Sequence, residues 1–216
     1  MKQIITKDNS ITFHNEKFDE TYHCLAGAVS EAKIKFVEPC NIKKLAESGS
    51  ISILDICFGL GYNTAAAIDA ALESNPDCKI NVIGLEEDVK LFDLIKEIKA
   101  PFKSFRLIQK LDKFNSVIID KNIQIKILLG DAKETIKKIN QKFDAVFLDP
   151  FSPKKCPGLW TLDFLKSIKQ VMKPGSILAT YSCATHLREK LKKLEFQVKD
   201  GPIFGRKSAS TIAIFK

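Results

Sequence analysis

Arginine is nearly absent from this chain of 216 residues. Only three of its 34 basic residues are arginine, so the net charge of +8 rests on lysine. A basic balance favours an anionic partner such as nucleic acid. Lysine spread by genome composition over every solvated face gives the same total, so charge alone leaves both readings open. Histidine is also scarce, at positions 14, 23 and 186, and the six cysteines form no C-x-x-C pair. That excludes a recognisable zinc site, and no metal is expected. The cysteines read as reduced, small apolar residues. No apolar run approaches the ~20 residues that span a bilayer, and the N-terminus lacks a signal-peptide core. No membrane association and a cytoplasmic location are therefore expected. Nothing repeats, and no segment is low-complexity.

What is present is ordinary globular material, with 45% apolar and 28% charged residues. The length suits one large domain with a small extension. The opening "QIITKDNSITFHN" alternates around Asp8-Asn9-Ser10 and predicts a hairpin. Residues 22–36 place Leu25, Ala28, Val29, Ala32 and Phe36 on one helical face, and a short helix follows over 41–48. From Gly49 onward strands and helices alternate. Strands are expected at "ISILDICF", "KINVIGL", "IQIKILL", "DAVFL", 176–181, 195–198 and 211–215. Helices are expected over 63–73, 88–99, 103–115, 132–139, 161–172 and 185–193. This alternation implies a parallel sheet covered on both faces. The last two strands are separated only by a loop and should pair antiparallel at one edge. The expected architecture is a doubly wound α/β sheet over 49–216, preceded by a hairpin and helical cap over 1–48.

In such sheets ligands bind beyond the carboxyl ends of the strands. Here the first strand runs into "DICFGLGYNT", Asp55 to Thr64. Gly59 and Gly61 let the backbone approach a ligand at the following helix N-terminus. Such a loop is weak evidence alone, because any tight strand-to-helix turn resembles it. The next strands end at Glu86, suited to ribose hydroxyls, at Asp131, suited to an exocyclic amine, and at Asp149. Four acids in order behind a glycine loop are harder to dismiss than one. A pyrophosphate cofactor would favour G-x-G-x-x-G, yet Thr64 holds the third glycine position. Asp55 would repel a phosphate but suits a cation, and S-adenosylmethionine carries an ammonium and a sulfonium.

After Asp149 the chain forbids a helix, with prolines at 150, 153 and 157. The segments "DICFGLGYNT", "GLEED", "LLGDAKE" and "DAVFLDPFSPKKCPGLWT" together resemble the tRNA 5-methylaminomethyl-2-thiouridine methyltransferase family, the MnmC type. "TYHCLAGAVSEAKIKFVE" and "IFGRK" are similar to that family too, so the resemblance covers nearly the whole chain. It implies a class I S-adenosylmethionine-dependent fold, with Asp55, Phe58, Gly59, Gly61 and Asn63 at the cofactor, Glu86 on the ribose and Asp131 on the adenine. Asp149, with the carbonyl of Pro150, would accept from the substrate amine and leave its lone pair free for an in-line displacement. Two departures stand out. Cys57 replaces the usual first glycine, and Pro150 stands where family members often have glycine.

On the same resemblance the partner is tRNA. Lys154, Lys155, Arg206 and Lys207 would contact phosphates, although solvated loop lysines are the plain alternative. Trp160 could stack on a flipped base, with anchoring of the following helix the favoured alternative. Tyr22 and His23 either close the cofactor pocket or cap the N-terminal helix. Family members are often fused to a flavin-dependent oxidase. This chain ends just after its final strand, so the expectation is a stand-alone methyltransferase without flavin, acting after a separate enzyme that generates the aminomethyl group. Two rivals remain. An aminopropyltransferase like spermidine synthase shares the sheet but has a second aspartate where this chain has Ser152. An RNA-binding protein without catalysis would gain nothing from Asp55, Glu86, Asp131 and Asp149.

Overall fold

Two layers of apolar side chains sandwich one eight-stranded sheet in the computed structural model, which describes all residues 1–216. Before it come β1 (Lys2–Ile5), β2 (Ile11–Asn15) and β3 (Glu20–Thr21), which form a separate antiparallel sheet. Helix α1 (Ala28–Glu31) continues as a π-helical turn, Ala32–Val37, and α2 (Ile42–Ala46) follows. The large sheet then contains β4 (Ser50–Ile56), β5 (Lys79–Glu86), β6 (Val117–Asp120), β7 (Ile123–Leu129), β8 (Phe143–Leu148), β9 (Met172–Thr180), β10 (Gln197–Asp200) and β11 (Thr211–Ile214). Its order is β10-β11-β9-β8-β4-β5-β7-β6. The five central strands are parallel; at one edge β11 pairs antiparallel with β9 and β10 antiparallel with β11, and at the other β6 pairs antiparallel with β7.

Alternation along the strands assigns each face. Ile51 and Ile53 of β4, with Ala145 and Phe147 of β8, point into the larger core, whereas Leu54, Ile56, Val146 and Leu148 point into the smaller one. The larger face is covered by α3 (Tyr62–Ser74), α4 (Leu91–Glu97) and α5 (Phe105–Ile108). Phe13, Ala28, Ala32, Phe36, Ile42 and Ala46 from the first 48 residues enter this same core. The smaller face is covered by α6 (Ala132–Thr135), α7 (Leu162–Gln170) and α8 (Thr185–Lys193). Alanine at 65, 66, 67, 70 and 71 lets α3 lie close to its neighbours, and Pro76 ends it by holding Asn75 extended. Thr161 starts α7, its hydroxyl accepting from the Phe164 amide at 3.3 Å. No helix is long and apolar enough to cross a membrane.

The doubly wound sheet and its antiparallel edge match expectation, and the differences have local causes. The N-terminal helix starts at Ala28 rather than Tyr22, because Gly27 takes φ +149 and leaves Tyr22 and His23 outside it. The 103–115 helix shrinks to Phe105–Ile108, since Asp112 folds the chain back by accepting from the Phe114 and Asn115 amides, each at 2.7 Å. Strand β6 departs from expectation. It is a four-residue edge strand with Val117 and Ile119 exposed, and Lys121 at φ +53 turns it into β7. Such an edge carries little of the apolar alternation that marks a strand.

Candidate active site

The glycine loop leaves β4 directly above a buried carboxylate. Asp55 is fully buried, and Thr64 Oγ1 donates to its Oδ2 at 2.7 Å while its Oδ1 has no partner. Burial, above all, lifts its pKa from 3.8 to about 7. Cys57 occupies the expected first-glycine position and adopts the left-handed conformation itself, φ +62, so the turn survives at some backbone cost. Gly59 and Gly61 follow at φ +58 and +78. A Cβ on Gly61 would lie 2.5 Å from Ile108 Cγ2 and 3.0 Å from the Phe58 ring. Gly61 therefore serves the packing of α3, and Phe58 fills the space beneath the loop while lining the cleft above.

Glu86, at the tip of β5, fastens this loop. Its Oε2 accepts from the Gly59 amide at 2.9 Å, and its Oε1 accepts from the Glu87 and Asp88 amides, each at 2.9 Å. A carboxylate has about four acceptor sites, so one stays free for a ligand. Its pKa is raised by burial despite those bonds. Asp131 is exposed and caps α6, accepting from the Lys133 amide at 2.9 Å with Lys133 Nζ at 3.2 Å.

Asp149 leaves β8 and receives a hydrogen bond from Asn63 Nδ2 at 2.9 Å, which joins the fourth tip to the glycine-loop helix. Asn63 Oδ1 is buried without a partner. Desolvation raises the Asp149 pKa well above the carboxylate range, and the negative charge of Glu31 adds to this. Glu31 is a site residue absent from the candidates that the sequence suggests. It lines the cleft, accepts from the Cys24 amide at 2.7 Å and pairs with Lys35 at 2.8 Å, both side chains almost fully buried. The i,i+4 spacing of the acid and lysine was a visible signal, but such pairs ordinarily lie on solvated faces.

The loop after Asp149 is held from several directions. Tyr181 Oη donates to the Pro150 carbonyl at 2.8 Å, so one of the two acceptor positions expected there for the amine is already taken. Phe151 stacks on Phe18, with centroids 4.6 Å apart, and lies 5.2 Å from Tyr22. Glu20 accepts from the Ser152 amide at 2.9 Å and from the Ser152 hydroxyl.

These elements enclose a cleft of about 920 Å³. Glu86, Asp131, Asp149, Pro150, Phe58 and Gly59 line it, with Tyr22 and His23 from the N-terminal segment. Since α1 starts at Ala28, Tyr22 and His23 do not cap it, and closure of the cleft is the role their position allows. Asp55, Gly61 and Asn63 lie behind the lining. Lys155 and Arg206 reach the rim, where Lys155 meets Asp19 at 3.3 Å and Arg206 sits 4.7 Å over the Tyr181 ring. Lys154 and Lys207 are exposed but lie outside this cleft. Stacking of Trp160 on a base is overturned. Its side chain is 1% exposed, packs against Tyr181 and donates to the Phe151 carbonyl at 2.9 Å, which anchors the loop.

The floor can be tested against a cofactor by its charge. The negative charge of Glu86 acts on Asp55, and those of Glu31 and Asp55 act on Asp149, opposed in part by Lys35. Such a cluster suits a ligand with positive charge and hydrogen-bond donors, and it opposes a pyrophosphate. S-adenosylmethionine fits that requirement.

Comparison with known proteins agrees. Residues 94–216 match the family described as S-adenosyl-L-methionine-dependent methyltransferase. The crystal structure of MNMC2 from Aquifex aeolicus superposes with a TM-score of 0.89 at 36% identity, covering 100% of this chain and 70% of that one. An uncharacterized protein of Methanocaldococcus jannaschii is 34% identical over 216 residues, which is 96% of this chain and 58% of the relative. A tRNA 5-methylaminomethyl-2-thiouridine biosynthesis bifunctional protein MnmC, from Leptospira interrogans, is 28% identical over 228 residues. That match takes in 98% of this chain but 35% of the bifunctional protein. The aminopropyltransferase and the idle RNA-binding protein are not favoured by these matches. With its sheet, its acid-tipped strands and its glycine loop, the chain belongs to the S-adenosyl-L-methionine-dependent methyltransferase family, in the MnmC-type branch.

Proposed function

We propose that the protein methylates the primary amine of 5-aminomethyluridine, with or without 2-thiolation, at the wobble position of tRNA. It acts on an amine that a separate enzyme has already exposed. The observation that carries this reading is Asp149, a desolvated carboxylate held by Asn63 between the glycine-loop helix and a proline-rigid loop. The tRNA part of the reading draws on the name of the bifunctional relatives and on the cations at the cleft rim.

S-adenosylmethionine supplies an electrophilic methyl group on a sulfonium. The free acceptor site of Glu86 suits the ribose, and Asp131 the adenine, while Asp55 and Asn63, behind the lining, keep unpartnered oxygens and a negative charge beneath the place for the cationic methionine part. An attacking amine must be neutral. A lysine-like ammonium, with pKa about 10.4, costs roughly 4–5 kcal/mol to deprotonate at pH 7. A solvated carboxylate is a poor acceptor for that proton, whereas Asp149 binds a proton more tightly because of its burial and Glu31. Asn63 holds the Asp149 carboxylate in one orientation, so it can take one amine N–H while the remaining lone pair of the Pro150 carbonyl takes the other. The nitrogen lone pair then points forward, and positioning supplies most of the rate.

The carboxymethylaminomethyl form is refused in this scheme. Its nitrogen is secondary and bulkier, and its carboxylate would enter beside Asp149 and Glu31 as a like charge in a partly desolvated space. The test supplies purified protein with tRNA bearing each form and labelled S-adenosylmethionine, followed by nucleoside mass spectrometry. Methylation of the aminomethyl form alone is expected. Equal labelling of both forms, or transfer to neither, overturns the reading.

A further inference from the structure

Beside the cleft lies a second, shallower groove of about 730 Å³, lined by Lys7, Thr21, Cys24, Leu25, Ala26, Gly205, Arg206 and Lys207. Thr21, Cys24 and Arg206 line both spaces, so the groove continues the cleft outward. Its lining includes three cations and no acid.

Its walls come from the two ends of the chain and are closely fitted. Gly205 is left-handed, φ +64, and a Cβ there would lie 2.2 Å from Cys24 Sγ and 3.2 Å from Ala26 Cβ. The Lys7 amide donates to the Leu25 carbonyl at 3.0 Å, which holds the opposite wall. Arg206 is set over the Tyr181 ring at 4.7 Å. Lys7, Arg206 and Lys207 make no ion pair, so their charge is available to a ligand. Leu25 is 51% exposed between them and offers an apolar contact.

The other side of the mouth differs. Lys155 is paired with Asp19 at 3.3 Å and Lys133 with Asp131 at 3.2 Å, so much of the positive charge there is already neutralised. Lys154 stands away from the cleft.

We propose that the substrate's polynucleotide strand leaves the catalytic cleft along this seam, with phosphates on Lys7, Arg206 and Lys207 and a sugar or base face on Leu25. This rests on the tRNA reading above and adds a direction to it. The strand runs over the seam of the two chain ends rather than over the Lys154–Lys155 loop. A single strand is the form that fits, because a nucleotide delivered to Asp149 must already be unstacked.

The test measures tRNA affinity against salt for the unaltered protein, for a Lys7→Ala/Lys207→Ala double variant and for a Lys154→Ala/Lys155→Ala double variant. All four lysines are exposed, so folding is retained, and unchanged binding of S-adenosylhomocysteine verifies it. Removing one cation that neutralises a phosphate of a single strand lowers the log–log slope by about 0.7. The seam variant should therefore show a slope smaller by about 1.4, and the loop variant a change less than half as large. An unchanged slope in the seam variant, or an equal or larger change in the loop variant, overturns the path. If the unaltered protein methylates tRNA in either of those cases, only the path fails. If it neither binds nor methylates tRNA, the proposed function fails with it.

Discussion

The cofactor half and the acceptor half of the cleft are built by different means. In the cofactor half, Asp55, Gly59, Gly61 and Glu86 belong to adjacent strands and one intervening helix, and neighbouring turns supply their bonds. In the acceptor half, distant segments meet. Glu20 grips Ser152, Phe18 and Tyr22 cover Phe151, Glu31 faces Asp149, and Cys24 meets Gly205. A unit made of neighbouring turns keeps its geometry with little help, whereas one made across the chain depends on each long-range tie. The two halves should therefore respond separately to perturbation.

The largest expected effect lies in the cofactor half and is a dependence on pH. Asp55 has a folded pKa near 7 against 3.8 when unperturbed. Between those values the folded state binds more protons than the unfolded state, so stability falls as pH rises through that window. At 1.36 kcal/mol per pKa unit, the full displacement is worth about 4 kcal/mol. Glu86 and Asp149 shift in the same direction. The protein without cofactor should melt at a higher temperature at pH 5 than at pH 8, and Asp55→Asn should shrink that difference. Buried His23, its pKa lowered to about 4, pulls stability the other way below pH 6.5, so the variant decides: an Asp55→Asn protein with an unaltered pH dependence would remove Asp55 as a buried acid.

Next in size is Gly61→Ala. Its Cβ would press on Ile108 and Phe58 in a left-handed backbone. Overpacking costs typically 1–3 kcal/mol, with about 1–2 more for the conformation. Denaturant unfolding should show a loss in that range together with weaker cofactor binding. An unaltered midpoint would mean that the loop tolerates a side chain.

In the acceptor half, Glu20→Ala releases Ser152 and loosens the loop after Asp149. Both bonds go to one partly exposed carboxylate, so solvent screens them and together they are worth about 1.5–3 kcal/mol at most. KM for tRNA should rise and kcat fall, with S-adenosylhomocysteine affinity unchanged. Weakened cofactor affinity would show that the halves are not separable. Smallest of all is Lys155→Ala, which breaks an exposed pair with Asp19 and should leave the melting temperature unchanged within error.

The same division explains what could be read from the sequence. The central strands, α3, the glycine loop and the four tip acids were legible because their signals are local, consisting of apolar runs, a glycine turn and acids at strand ends. Cys57 looked like a defect and proved to be a left-handed residue in a glycine's place. Glu31 and the engagement of the Pro150 carbonyl by Tyr181 were not legible, because each depends on a partner far along the chain, whereas the burial of Trp160 agrees with the favoured reading of the sequence. Residues 22–36 misled for a related reason. Leu25 fits the helical period, yet Gly27 breaks the helix and leaves Leu25 exposed at the groove.

One variant tests the separation most directly. Asp149→Ala removes the acid proposed to meet the amine and leaves Asp55, the glycine loop and Glu86 in place. With aminomethyl tRNA as substrate, turnover should fall about a hundredfold, while calorimetry with S-adenosylhomocysteine returns the affinity of the unaltered protein. Near-normal turnover would take Asp149 out of the chemistry, and a parallel collapse of cofactor affinity would contradict the division between the two halves.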